Sequence, residues 1–236
     1  MRVFISGQKY FGAEILRVCL NLQMEVVGVC APFEDRYLRP LAELNGIPVM
    51  NAGALNKGTC PRGIDLGITA HSFDYVGHAT RMVPKLGWIG YHPSLLPRHR
   101  GRSAIEWALK MRDFVTGGTV YWLNAGIDRG DIERQEMAWI DPAHYSGDVK
   151  KNAAEIWREQ LLPMGVRLMA GALADIKNGT YNRAAQDVRF STFEPSLDVK
   201  DIFRPDLLCL GDGTNGKPGL GSTAVKNKLK YGVNTV

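Results

Sequence analysis

The chain has 236 residues, 45% of them hydrophobic, enough for one sizeable core or for a core domain with a small appendage. Its formal net charge is +5, but Lys217, Lys226, Lys228 and Lys230 follow Asp212 with no acid among them, so setting those four aside leaves only +1. A general basic footprint for nucleic acid is therefore absent, and no run approaches the roughly 18 apolar residues of a membrane span.

In chain order, Met1-Arg2-Val3-Phe4-Ile5 opens a strand rather than a signal segment, and a soluble, cytoplasmic protein is expected. Arg2 to Ser6 is a short apolar strand ending in Gly7, after which Ile15, Leu16, Cys19 and Leu20 recur at helical spacing. Glu25 to Cys30 reads as a buried second strand, and Asp35 to Leu44 as a helix stopped by Asn45-Gly46. Ile47-Pro48-Val49 is a brief third strand and Asp65 to Ala70 a fourth. The loop after it, His71-Ser72-Phe73-Asp74-Tyr75-Val76, combines aromatic and acidic side chains and is a candidate pocket wall.

Leu86 to Tyr91 forms a fifth strand ending on His92, Ser103 to Met111 a helix, Thr119 to Leu123 a sixth strand and Ile132 to Ile140 a seventh. Asn152 to Ile176 has the composition of a long closing helix that Pro163 breaks or kinks. Beyond Asn178-Gly179 the pattern is irregular, and Gly211 to Gly221 holds five glycines and a proline, a composition that resists a packed core. The alternation of strand and helix predicts an α/β fold with a Rossmann-like, doubly wound, mostly parallel sheet. Gly7 and Gly12 are five apart with no G-x-G-x-x-G, which argues against NAD or FAD. Cys19, Cys30, Cys60 and Cys209 are scattered and form no C-x-x-C pair, so neither a disulfide framework nor a metal site is indicated.

His92 and Asp128 are the residues that carry chemistry. Both sit where strands give way to loops, and they are 36 positions apart, too far for one helix or hairpin to join. Any pairing must be made by neighbouring strands of one sheet, at the place where α/β sheets hold their ligands. Alone, a histidine after a strand is most often an ordinary surface or core residue, and an aspartate in Ala125-Gly126-Ile127-Asp128-Arg129-Gly130 is usually turn chemistry.

Their surroundings change that reading. His92-Pro93-Ser94-Leu95-Leu96-Pro97, then Arg100-Gly101, then Asp128-Arg129-Gly130 closely resemble, in order and spacing, the signature of the folate-dependent formyltransferases. That family includes enzymes acting on glycinamide ribonucleotide, on methionyl-tRNA and on nucleotide-linked amino sugars. The likeness covers roughly residues 1 to 195, with Gln186 and Thr192-Phe193-Glu194-Pro195 resembling the family's closing segment. The resemblance implies a formyltransferase catalytic domain over residues 1–184 and a C-terminal extension over 185–236, Gly-rich, basic and partly flexible.

It also implies an activity: transfer of a formyl group from N10-formyltetrahydrofolate to an amine, with His92 as general base and acid and Asp128 orienting it. Imidazole suits that role because it takes and gives protons near neutral pH. By the same resemblance, Phe73, Asp74, Tyr75, Val76, Ala125, Gly126 and Ile127 line the pocket for the folate donor, with Leu95 in the shared cleft. Ser94, Arg98 and Arg100 are candidate acceptor-binding residues, guanidinium groups being matched to phosphate oxygens. The acceptor expected is therefore a small-molecule amine, with or without phosphate, such as a nucleotide-linked amino sugar. About 40 residues follow Pro195, too few for the further barrel that grips tRNA in the methionyl-tRNA enzymes, which argues against tRNA.

One position departs from the signature. The family has Asn two residues before the histidine, taken to hydrogen-bond the formyl oxygen, and this chain has Gly90. Loss of such a donor costs roughly 2.7 to 4 kcal/mol of barrier. Three readings stand: another donor, such as Asn124, a water or a substrate group, fills the gap; the acceptor differs, water included, which would make the protein a formyltetrahydrofolate hydrolase; or the chain binds folate or a nucleotide without catalysis.

Overall fold

A computed structural model describes residues 1–72 and 74–197. Phe73, Cys209 and the Gly-rich basic stretch lie outside the described residues. Seven strands form one sheet: β1 (Arg2–Gly7), β2 (Glu25–Ala31), β3 (Val49–Asn51), β4 (Leu66–Ala70), β5 (Trp88–His92), β6 (Val115–Trp122) and β7 (Ile132–Trp139). Their order is β3-β2-β1-β4-β5-β6-β7. The first five pair in parallel, and β6 and β7 run antiparallel to their neighbours. Chain order reverses between β1 and β4, so the carboxyl ends of those strands border the crevice where such sheets bind ligands.

The helices are α1 (Lys9–Asn21), α2 (Leu38–Leu44), α3 (His78–Arg81), α4 (Ala104–Lys110), α5 (Val149–Ile156) and α6 (Leu162–Asn178). The main core joins Val3, Ile5, Val29 and Ile68 of the sheet to Ile15 and Leu16 of α1, Leu109 of α4 and Met169 and Leu173 of α6. Phe4, one residue out of phase with Val3 and Ile5, belongs to the opposite face, where it packs edge-on against Trp88 with Leu55, Ile64 and Val76. The central strand β1 is thus buried on both sides, as its unbroken apolar run requires.

Several boundaries differ from expectation for local physical reasons. The second helix starts at Leu38 rather than Asp35, because Asp35 works from outside it, its carboxylate accepting from the amides of Tyr37, Leu38 and Arg39 and, with the other oxygen, from Lys9 at the start of α1. Strand β3 lies at 49–51, two residues later than predicted; Pro48 lacks an amide and contributes only its carbonyl, to Val29. Strand β6 begins at Val115, earlier than Thr119, because Gly117 and Gly118 are strand residues here despite their low β-propensity. A Cβ on Gly117 would meet the Glu136 carbonyl at 2.2 Å, and one on Gly118 the Tyr91 hydroxyl at 2.4 Å.

The closing helix is two helices. Pro163 has no amide for the Glu159 carbonyl, and a π-helical turn over Trp157–Leu161 takes up the defect between α5 and α6. The Leu161 carbonyl accepts from the Tyr91 hydroxyl at 2.7 Å, and Trp157 packs against Phe11, His71 and Tyr91. No helix among the described residues is long and apolar enough to cross a membrane.

Candidate active site

His92 closes β5 and is buried, with 7% of its surface exposed. Its Nε2 lies 2.7 Å from the carbonyl oxygen of His99. A carbonyl only accepts, so Nε2 carries the hydrogen and Nδ1 is the nitrogen that exchanges protons. Nδ1 faces Asp128 Oδ2 at 3.6 Å, an ionic separation longer than a hydrogen bond. The carboxylate itself is tightly held: Oδ2 accepts from the Gly101 amide at 2.8 Å and Oδ1 from the Tyr121 hydroxyl at 2.7 Å. Burial first, then the charge of Asp128 and this hydrogen bond, pushes Tyr121 well above the ordinary phenol range, so it stays a donor.

The two residues do come from neighbouring strands, but not from two aligned strand ends. Strand β6 is antiparallel to β5, with His92 opposite Thr119 and Trp122 opposite Ile89, so β6 ends beside the start of β5. The connection from 123 to 131 must fold back to deliver Asp128. Gln186 holds it there, its Nε2 donating to the carbonyls of Asp128 and Gly130 at 2.9 and 2.7 Å, while Arg100 holds the Gln186 side chain through Oε1. A side chain at Gly130 would begin 1.5 Å from the Trp122 carbonyl, so the fold-back requires glycine. Asp128 itself takes a positive φ of 52°, which aspartate tolerates better than most residues.

Behind His92 lies a second histidine. His99 is 3% exposed and sits between Asp113, 2.7 Å from Nε2, and Glu194, 3.3 Å from Nδ1. Burial pulls its pKa down, but the Glu194 carboxylate in ionic contact and the hydrogen-bonded Asp113 carboxylate outweigh it and raise the net value. Asp113 is lowered in return: burial opposes the shift, and His99 and Arg98 overcome it. Residues 192–197 are laced onto this loop through Thr192 Oγ1 to the His99 amide, the Pro195 carbonyl to Trp107 Nε1, and the Leu197 amide to Ser103 Oγ.

His92 and Asp128 open onto a cavity of about 620 Å³ whose wall includes Thr69, His71, Tyr121, Ile127, Arg102 and Trp157. A buried imidazole beside a positioned carboxylate, at the carboxyl ends of parallel strands, is equipped to move protons for a ligand held there.

Residues 1–164 match the formyl transferase family. The chain belongs to that family. It is 34% identical over 209 residues to cytosolic 10-formyltetrahydrofolate dehydrogenase from Xenopus laevis, an alignment covering 83% of this chain and 22% of that protein. The chain thus spans about a fifth of the length of that relative. Two crystal structures share its fold: glycinamide ribonucleotide transformylase 1 from Symbiobacterium toebii, with 21% identity, a TM-score of 0.63, and 79% of this chain and 93% of that one covered; and an N-formyltransferase from Helicobacter canadensis in complex with folinic acid and dTDP-3-aminofucose, with 19% identity, a TM-score of 0.63, and coverage of 85% and 74%.

In this member of the family, the predicted residues fall into two groups. His92, Asp128 and Ile127 line the cavity. Asp74 instead ties the loop to the sheet, accepting from Ser6 Oγ, Cys30 Sγ and the Gly53 amide. Val76 is buried in the smaller core, and Tyr75 is 81% exposed. Leu95 packs toward Gly117, and Gly126 donates its amide to Asn124 Oδ1 in a local turn beside the exposed Ala125. Ser94 is buried, its hydroxyl donating to the Arg98 carbonyl at 2.6 Å. Arg98 is paired with Asp113 and Arg100 with Gln186, so both guanidinium groups brace the loop rather than line the cavity. Arg102, from the same basic cluster, is on the cavity wall together with Lys9 and Lys150.

Sequence reasoning assigned no role to Thr69, Tyr121 or Trp157. Tyr121 meets Asp128 across a folded-back connection, and Trp157 reaches the cavity through the π-helical turn. Neither relation has a local spacing by which it could be read.

Proposed function

We propose that the protein transfers the formyl group of N10-formyltetrahydrofolate to an acceptor bound in the cavity beside His92. The observation that carries the proposal is the buried His92–Asp128 pair on the cavity wall, in a chain of the formyl transferase family. An acceptor amine attacks the formyl carbon, the carbonyl electrons move to oxygen, and the tetrahedral adduct collapses with cleavage of the bond to N10. The acceptor nitrogen loses one proton and N10 gains one. His92 Nδ1 is the site through which that proton passes, and Asp128 supports the imidazolium while it lasts.

The acceptor proposed is a small amine carrying an anionic group, such as a nucleotide-linked amino sugar. It is supported by the basic residues on the cavity wall, Lys9, Arg102 and Lys150, set among Phe11, Tyr91 and Trp157, and not by Arg98 or Arg100. The Helicobacter enzyme, whose structure contains dTDP-3-aminofucose, is a precedent in the same fold. A second reading takes water as the acceptor; it is supported by the similarity to a 10-formyltetrahydrofolate dehydrogenase, a protein named for the formyl donor alone. In that case the products are formate and tetrahydrofolate.

The test is to incubate the protein with 10-formyltetrahydrofolate and a panel of amines, including none, and to follow formylated product and formate by mass spectrometry. Amine-dependent product supports transfer to an amine, and formate released at the same rate with and without amine supports water. A donor left unconsumed under every condition would reduce the protein to a binding homologue and sink the proposal.

A further inference from the structure

Strands β4, β5 and β6 lie side by side, and one row of residues crosses them: Thr69 pairs with Gly90, and Gly90 pairs with Tyr121. The middle member has no side chain, and its two neighbours lean into the space. A Cβ placed on Gly90 would stand 2.4 Å from Thr69 Oγ1, 3.2 Å from Leu123 Cδ1 and 3.6 Å from Tyr121 Cε1, so the Thr69 hydroxyl is the group it meets first. Gly90 is two residues before His92 on the same strand, so this space lies on the face of β5 that carries the imidazole. Thr69, His92, Tyr121 and Asp128 all line the one cavity.

Formyl transfer, the proposed function on which this inference rests, puts negative charge on the formyl oxygen. The donor that meets it must be aimed at the cavity and not already committed to a strong partner. The hydroxyls on the wall differ in that respect. Tyr121 donates to Asp128 at 2.7 Å and Tyr91 to the Leu161 carbonyl at 2.7 Å, and both bonds hold the architecture together. Ser72 is tied to Ser6 at 2.7 Å and also accepts from the Asp74 amide. The Gly101 amide is taken by Asp128. Thr69 has the loosest engagement, a contact of 3.2 Å to the Ile89 carbonyl, and a half-buried threonine hydroxyl leaves it by rotation about one bond.

We infer that Thr69 is a catalytic residue of this site: its hydroxyl donates to the developing oxyanion from the space that a side chain at residue 90 would otherwise fill. Gly90 is then one half of a matched pair. A larger residue there collides with the hydroxyl, and the absence of one leaves the hydroxyl exposed to the formyl group.

The experiment compares Thr69→Val, which keeps the shape and removes the hydroxyl, with Thr69→Ser, which keeps the hydroxyl. Consumption of 10-formyltetrahydrofolate gives kcat and KM, and titration with unreactive 5-formyltetrahydrofolate gives binding. Thr69→Val is expected to lower kcat by about 10²- to 10³-fold with donor affinity within threefold of wild type, and Thr69→Ser to stay within about tenfold. Valine is well suited to a strand, and thermal melting checks that the variant folds. Gly90→Ala provides an independent arm: it lowers kcat at least tenfold when residue 69 is Thr, and costs clearly less in Thr69→Ala, where the oxygen is gone and the methyl has only the flexible end of Leu123, at 3.2 Å, to displace. A Thr69→Val enzyme with unchanged kcat, or a Thr69→Ser enzyme as impaired as Thr69→Val, overturns the assignment. A wild-type protein that never consumes the donor fails the transfer reading itself, and an active wild type beside an unimpaired Thr69→Val fails Thr69 alone.

Discussion

His92 at the end of β5 and His99 seven residues further on each stand beside a carboxylate, in opposite surroundings. His92 has one nitrogen tied to a backbone carbonyl and the other held 3.6 Å from Asp128, on the wall of a cavity. His99 has both nitrogens in ionic contact, at 2.7 Å with Asp113 and 3.3 Å with Glu194, in a place that solvent hardly reaches. The first arrangement leaves a nitrogen able to change its proton. The second favours the charged form of an imidazole that pins the segment around Glu194 to the loop, and whose own backbone carbonyl orients the first histidine. What separates a reactive imidazole from a structural one here is how many of its nitrogens are already occupied, and by what.

The largest expected effect tests the reactive side. His92→Ala should lower the rate of donor consumption by about 10²- to 10⁴-fold with 5-formyltetrahydrofolate binding retained, measured by steady-state kinetics and titration. A variant within threefold of wild type would remove His92 from the chemistry. The structural side should respond in stability instead. His99→Ala leaves the Glu194 carboxylate, 2% exposed, without its cation, and denaturant unfolding should show a loss of about 3 to 5 kcal/mol.

The same histidine predicts a pH dependence. Its folded pKa lies above the unfolded value of about 6.5, so its contribution to stability is complete below that pH and is lost as pH rises through the folded value. Asp113 is lowered, so its contribution is present above the unfolded value of about 3.9 and is lost as pH falls through the folded one. The melting temperature should therefore fall on both sides of a plateau, and His99→Gln should remove the alkaline limb. An alkaline limb that persists in that variant would break the contrast between the two histidines.

A smaller effect sharpens it. Gln186→Ala removes two hydrogen bonds to the connection that delivers Asp128, worth about 1 to 3 kcal/mol in total. Under the proposed transfer, in which Asp128 supports the His92 imidazolium, kcat should drop while KM changes little. A drop in stability with kcat untouched would show that Asp128 finds His92 without this brace.

The sheet and both central side chains are legible in the order of the amino acids. The strands announce themselves as apolar runs between glycine, proline and asparagine, and His92 and Asp128 stand in local motifs whose meaning does not depend on distant contacts. The surrounding cast is less accessible. Arg98 and Arg100 look like anion-binding residues in the sequence, and only the pairing with Asp113 and Gln186, 15 and 86 positions away, shows that they serve the loop. Arg102, four positions beyond Arg98, is the member of that cluster on the cavity wall.

By itself, then, the sequence determined the α/β class and the formyl transferase family, because the alternation of apolar runs and the motifs around His92 and Asp128 are written in the order and spacing of neighbouring residues. Tertiary structure decided what borders Gly90, which arginine of the basic cluster lies on the cavity wall, and how Asp128 is brought to His92 by the connection between β6 and β7. Those outcomes depend on which strands lie side by side and which charges meet across the fold, and residues become neighbours in that sense only when the chain has buried its core.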